Sequence, residues 1–202
     1  MTKHALNAFF ATSISFANEL GNLCDLIGAD AFKIAQAMRL DERIGPKAMI
    51  SPGSPFGGGT LARDLRTLQD IGHTFDYRTT MVDGAIQVNE YQKDIAIHRL
   101  LQVFGTLKGL NIGVLGLTYK PGTSTLRRSQ SLEMIEALLS GGALVKAFDP
   151  GADLSELVTN HGFTVEQSAH NTAIESDAII LATDWPEFLE IDFESIHRVM
   201  RR

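Results

Sequence analysis

Three groupings in the sequence carry side chains that could do chemistry. If the opening segment is helical, Lys3 and Asn7 lie one turn apart and set an ammonium beside an amide on one helix face. Such a pair can hold a polar ligand, and a solvated surface explains it equally. The second grouping is Ser51-Pro-Gly-Ser-Pro-Phe-Gly-Gly-Gly59, whose two prolines and four glycines disfavour helix and central strand alike, running directly into Thr60-Leu-Ala-Arg-Asp64. Adjacent glycines before a helix let backbone amides approach a ligand closely, although a flexible connection carries the same signature. The third is Leu117-Thr-Tyr-Lys-Pro-Gly-Thr-Ser-Thr-Leu-Arg127, which places the cations Lys120 and Arg127 among hydroxyls at the end of a strand. That mixture favours an anionic ligand over a merely solvated loop.

Other residue types carry less. Cys24, the single cysteine, follows Leu20 by four residues on an apolar stripe, which reads as a buried structural thiol; a reactive thiolate needs an accessible, electropositive setting. The six histidines, at 4, 73, 98, 161, 170 and 197, include no pair at metal-ligand spacing and have no cysteine cluster beside them, so no metal is assigned. Gly113-Val-Leu-Gly116 opens on a strand but lacks the Gly-x-Gly-x-x-Gly turn that brings a pyrophosphate onto a helix N-terminus.

The elements that must position these groups fall into two textures. Leu6, Phe10, Ile14, Ala17, Leu20 and Cys24 predict a long first helix that Gly28 ends, followed by a short helix over 31–38, the breaker-rich loop, and a helix starting near Thr60. Met81, Ala85, Val88, Tyr91 and Ile95 trace one stripe that predicts a single helix of roughly 25 residues over 77–103, a spine or subunit interface. Past Gly109 the pattern changes to short strand-like runs at 111–117, 143–148, 163–166 and 177–182, with helical segments over 131–140, 152–161 and 168–175. The fold class expected is therefore α/β: an all-helical dimerisation domain over 1–108, then a Rossmann-like, doubly wound parallel sheet over 109–202 with ligands at the strands' carboxyl ends.

Composition narrows the function classes. The 202 residues are 44% hydrophobic and 21% charged, ordinary for a chain with a real core, and the net charge is −6. Without a basic block, nucleic acid is a poor partner. No apolar run reaches the roughly 18 to 20 residues of a membrane span, and the lone cysteine fits a reducing, cytoplasmic setting.

Taken in order along the chain, these segments resemble the UDP-glucose/GDP-mannose dehydrogenase family. Lys3-His-Ala-Leu-Asn7 with Ala11-Thr-Ser-Ile-Ser-Phe-Ala-Asn-Glu19 is similar to the start of that family's central helical domain. Asp41-Glu-Arg-Ile-Gly45, Phe56-Gly-Gly58 and Asp64 resemble its substrate loops, and Tyr119-Lys-Pro121, Arg127 and Asp149-Pro150 resemble the opening of its carboxy-terminal nucleotide-sugar domain. Family members oxidise a sugar 6-hydroxymethyl group to a carboxylate with two NAD, through a thiohemiacetal and a thioester on a cysteine. The resemblance implies that Lys3 stabilises charge on the C6 oxygen while Asn7 and Asp64 position that oxygen and a water. It implies substrate contacts at Phe56, Gly57, Gly58, Tyr119 and Lys120, an Arg43 that reaches the partner subunit's substrate across a homodimer, and an Arg127 that meets the dinucleotide phosphates. UDP-glucose is the expected nucleotide-sugar.

The sequence departs from the family pattern in specific places. Thr60 stands where the family's Gly-Gly-x-Cys carries its nucleophile, and a hydroxyl is hardly ionised near neutrality. Ser124, Thr125 and Arg128 replace residues that are often acidic. The chain also starts where the central helix would start, so an NAD-binding domain is expected to be missing, and it stops before the family's next strand. Two readings follow: the substrate-binding and dimerisation portion of an NAD-dependent nucleotide-sugar dehydrogenase, inactive by itself, or a catalytically silent homologue that binds a nucleotide-sugar or assembles. A nucleotide-binding module confined to 110–202 would leave the helical half unexplained.

Overall fold

The computed structural model describes residues 1–57, 59–157 and 161–201, and the chain divides into two compact units, Met1–Lys93 and Asp94–Arg202. The first is built on α1 (Thr2–Ile27), which ends where Gly28 turns left-handed at φ 71° and donates its N–H to the Cys24 carbonyl. The short α2 (Ala31–Arg39) starts on Asp30, whose side chain accepts from the Lys33 N–H. Helices α3 (Gly59–Thr74) and α4 (Thr80–Lys93) then pack on α1.

The buried face of α1 is made of small residues, Ala8, Ala11, Ser15, Ala17, Gly21 and Cys24, so its neighbours approach its backbone closely. Ala8 and Ala11 share a core with Phe56 and Leu65, bordered by Ile14, Leu61, Leu68, Val82 and Ile86. The buried Ser15 hydroxyl donates to the Ala85 carbonyl of α4 at 2.8 Å. Cys24 is buried on the same face, in keeping with a structural thiol.

The single helix expected over 77–103 is two helices, α4 and α5 (Ile95–Phe104), interrupted at Asp94 with φ −97° and ψ 5°. The apolar stripe is continuous in sequence but serves two cores. Ala85, Asn89 and Gln92 are the buried residues of α4, whereas Ile97 and Leu100 of α5 pack with residues of the sheet. The sequence reading set the division of the chain at 108/109; the compact units meet at 93/94, with α5 in the second.

The second unit is a four-stranded parallel sheet in the order β3-β2-β1-β4, from β1 (Asn111–Leu115), β2 (Leu144–Phe148), β3 (Thr164–Val165) and β4 (Ala178–Leu181). Helix α6 (Gln130–Ser140) links β1 to β2, α7 (Ala169–Ala173) precedes β4, and α8 (Phe193–Val199) follows it. Ile112, Val114 and Leu115 are fully buried, as a central parallel strand requires. Gly113 leaves room for α7, since a Cβ there would lie 3.0 Å from the Thr172 carbonyl. The chain winds outward from β1 to β3 and returns to β4 on the other side of β1, so the strand order reverses between β1 and β4. The mixed α/β class and the doubly wound sheet are thus as the sequence indicated; the sequence reading assigned no element to 186–199, where a short 3-10 turn (Pro186–Glu190) and α8 form.

Candidate functional site

In the first unit the breaker-rich loop is held in place by amide side chains. Asn18 of α1 accepts from the Gly53 N–H at 2.8 Å and donates to the Ser54 carbonyl at 3.2 Å. Gln92 of α4 donates to the Gly53 carbonyl at 2.8 Å while accepting from Asn22 at 2.9 Å. Asn89, one helical turn earlier, accepts from the Phe56 N–H at 2.8 Å and donates to its carbonyl at 3.3 Å. These amides supply the partners that a sheet ladder would otherwise give an extended backbone. Gly21 lets the loop come this close, because a Cβ there would sit 2.6 Å from Pro52 Cβ. The segment is a positioned loop, and it buries Phe56 beside Ala8, Ala11 and Leu65.

Beyond the loop, α3 carries Thr60 in its exposed first turn and Asp64 one turn later, 1% exposed. Asn7 of α1 donates its amide to Asp64 Oδ2, so two of the residues singled out in the sequence meet. The imidazole of His4 brings Nδ1 to 3.1 Å from Asp64 Oδ1, and Arg63 Nε stands 3.7 Å from the same oxygen. The Asn7 hydrogen bond is the largest influence on Asp64. Burial opposes it, and the His4 contact and the charges of His4 and Lys3 reinforce it, leaving the carboxyl below its ordinary value. Lys3, exposed in the first turn of α1, thus acts on Asp64 through its field. The group is a buried carboxylate, hydrogen-bonded at Oδ2 and faced at Oδ1 by an imidazole, in the field of an ammonium: an arrangement able to orient a hydroxyl and handle its proton.

The remaining expected residues of this unit are placed less centrally. Gly57 is exposed at the end of the loop, and Gly58 lies outside the described residues. Arg43 follows α2 in an exposed turn where its guanidinium grips Asp41 in a fork, Nε to Oδ1 at 2.9 Å and Nη2 to Oδ2 at 2.6 Å. That grip lowers the Asp41 carboxyl and raises the guanidinium, with the side-chain hydrogen bond as the leading cause for each. Arg43 is not brought to the Asn7–Asp64 pair; it is fixed by its own turn.

In the second unit, Tyr119 and Lys120 are exposed just beyond the carboxyl end of β1, with Lys120 Nζ 5.6 Å from the Tyr119 ring centroid, within cation–π range. Asp149, at the end of β2, fixes the root of their loop. Its Oδ2 accepts from the N–H groups of Leu117 and Thr118 at 2.7 and 2.8 Å, from the Thr118 hydroxyl at 2.9 Å and from the Trp185 indole at 3.1 Å, while Oδ1 accepts from the Gly151 N–H at 2.8 Å. Burial pushes this carboxyl up, but the hydrogen bonds from Thr118, Gly151 and Leu117 more than offset it, so it is ionised more readily than an ordinary aspartate. Further along the loop, Glu156 accepts from the Leu126 N–H and the Thr125 hydroxyl at 2.8 and 3.0 Å, and Arg127 is left exposed.

The turn after β1 does not offer a dinucleotide cradle. Gly116 has φ +101°, but the space its Cβ would take is filled by Thr183 at 2.5 Å, and the chain runs through 117–129 before α6 starts. Arg127 and its neighbour Arg128 are exposed in that segment. Among the described residues no cluster of His, Cys, Asp or Glu could hold a metal ion, and no helix is long and apolar enough to cross a membrane.

Sequence reasoning passed over three contributors. His4 carries a readable signal, being three residues before Asn7 and hence on its face of α1. The buried amides Asn18, Asn89 and Gln92 act on backbone groups, and the Trp185 indole on the Thr118 and Asp149 side chains, all far away in sequence, and no local pattern announces them.

Comparison with known proteins bears on both units. Residues 1–91 match the UDP-glucose/GDP-mannose dehydrogenase family, central domain, and residues 113–202 match the UDP binding domain of the same family. The UDP-glucose 6-dehydrogenase TuaD of Bacillus subtilis is 37% identical over 204 residues, covering 100% of this chain and 44% of that protein. A UDP-glucose 6-dehydrogenase of Rickettsia bellii is 36% identical, covering 100% of this chain and 47% of its own length. Among solved structures, a UDP-glucose dehydrogenase from Pyrobaculum islandicum matches with a TM-score of 0.88 at 33% identity, covering 95% of this chain and 44% of that one. The chain thus spans about half the length of the curated relatives it matches.

Proposed function

Since the chain belongs to the UDP-glucose/GDP-mannose dehydrogenase family, we infer that it serves the oxidation of a nucleotide-sugar at C6, with UDP-glucose as its substrate. In this reading the first unit takes the sugar and the second, through Tyr119 and Lys120, takes the nucleotide. The observation that carries it is the meeting of Asn7 with the buried Asp64 under the field of Lys3. Oxidation of an alcohol requires its proton to leave, and an ammonium whose field reaches a buried carboxylate lowers the cost of the oxyanion that forms. NAD is the hydride acceptor of this proposal; what this chain's residues do is bind, orient and move the proton. Isothermal calorimetry tests it: UDP-glucose binding with little affinity for NAD is expected, and tight NAD binding without nucleotide-sugar binding would reverse it.

Thr60 favours a second reading, in which the chain binds the nucleotide-sugar without carrying it to the acid. It occupies the first turn of α3, one turn before Asp64, with a hydroxyl where the resemblance places a thiol.

We also propose that the first unit pairs with a second copy of itself. Leu6, Phe9, Phe16, Leu23 and Ile27 are exposed on α1, and together with Ser13 and Leu20 they recur at alternating steps of three and four residues, the spacing of a helix-pairing seam. Arg43, fixed and outward-facing, is the cation such a pairing would offer to the other copy's substrate.

A further inference from the structure

His4 has no role in the reading above, yet its geometry at Asp64 is specific. His4 Nδ1 and Asp64 Oδ1 face each other at 3.1 Å, both atoms are buried, and neither makes a well-aligned hydrogen bond to any described residue, so each is the other's only polar neighbour at that distance. Two buried lone pairs facing each other at this distance would be costly, so the contact requires a proton on Nδ1. In a neutral imidazole that leaves the lone pair on Nε2. The His4 side chain is 32% exposed although Nδ1 is buried, so the open part of the ring is the rest of it. The other charged groups acting on Asp64 are Lys3 from α1 and Arg63 from α3 itself, while Asp83 of the neighbouring α4 is engaged by Gln69 and Thr79.

We propose that His4 and Asp64 form a carboxylate–imidazole dyad, in which Asp64 fixes the Nδ1–H tautomer and His4 Nε2 accepts the proton of a sugar hydroxyl. This rests on the nucleotide-sugar reading of the site. In the transfer the hydroxyl O–H breaks and an Nε2–H forms. The imidazolium is then held by the Asp64 carboxylate, and the oxyanion faces the Lys3 ammonium. An aspartate this buried, with Asn7 already on Oδ2, is a poor base on its own, and the dyad moves the basic lone pair from a buried carboxylate to the exposed part of the ring. Asn7 completes the clamp from the other oxygen, so His4 is aimed by a carboxylate that cannot swing.

The test is nuclear magnetic resonance on the chain with nitrogen-labelled histidine. Long-range proton–nitrogen correlations, recorded where the imidazole is neutral, are expected to show His4 as the Nδ1–H tautomer, and Asp64→Ala to return it to the Nε2–H form usual in water. Saturating UDP-glucose is expected to move the His4 Nε2 resonance in the direction of an accepted hydrogen bond, whereas UDP alone leaves it in place. An Nε2–H tautomer in the unmutated chain overturns the dyad, and so does an Nε2 resonance unmoved at saturating UDP-glucose. If UDP-glucose does not bind at all, the nucleotide-sugar reading falls and the sugar role of His4 with it, while the tautomer still decides whether the dyad exists.

Discussion

Removing the Asn89 amide offers a direct measure of how firmly the glycine-rich loop is held. Asn89 is 4% exposed and meets the buried Phe56 backbone twice, at 2.8 Å to its N–H and 3.3 Å to its carbonyl. Asn89→Ala deletes both of these bonds to the buried Phe56 backbone. At about 0.5–1.5 kcal/mol net for each hydrogen bond, the loss is about 1–3 kcal/mol. Native-state hydrogen exchange at the Phe56 amide reads the local effect. An opening free energy reduced by about 2 kcal/mol corresponds to exchange about thirtyfold faster. Urea unfolding followed by far-ultraviolet circular dichroism reads the cost to the helical unit as a whole. Phe56 exchange within a factor of two of the unmutated rate, with unchanged unfolding, would show that the loop is held by its glycines and prolines and that the amides are incidental.

Four further outcomes are expected. The Asp64 carboxyl sits below its ordinary value of 3.8, so its contribution is fully present above that pH and is lost as pH falls through the lower folded value; acid titration of Asp64→Asn should lack this acid-limb loss, and an identical acid limb would refute it. Gly116→Ala puts a Cβ against Thr183 at a residue with φ +101° and should destabilise the sheet unit by about 3 kcal/mol, read by fluorescence of Trp185, the only tryptophan. With UDP-glucose and NAD supplied to the active protein, Thr60→Cys should raise uronic acid output, and equal output before and after would dispose of the missing-thiol argument. Phe16→Glu, placing a charge in the exposed seam of α1, should convert a dimer to a monomer in sedimentation equilibrium with no change in helix content.

Much of the fold could be read locally because its causes are local. The three- and four-residue spacing of α1 and its Gly28 stop are properties of neighbouring residues, as are the short apolar runs that become β1, β2 and β4. The stripe over 77–103 misled because periodicity records which residues are apolar and not what they pack against; Asp94 is the place where one core hands over to another. At the site, Lys3, Asn7 and Asp64 were reachable through a resemblance to a family, and the structure adds the contact of Asn7 with Asp64. Asn18, Asn89, Gln92 and Trp185 were not reachable, because an amide that satisfies backbone atoms, or an indole that meets a carboxylate, more than thirty residues away looks in sequence like any other residue on a helix or in a turn.

The small-residue face of α1 makes tolerance to change one-sided. A methyl added at Gly21 would meet Pro52 at 2.6 Å, and growth at Ala8 or Ala11 would press on Phe56 and Leu65, the neighbour of Asp64 in the chain. Enlarging a side chain on that face would therefore strain the packing next to the Asn7–Asp64 pair as well as the core. The outward face carries no such internal restraint among the described residues; in the pairing proposed above, a second copy would supply it.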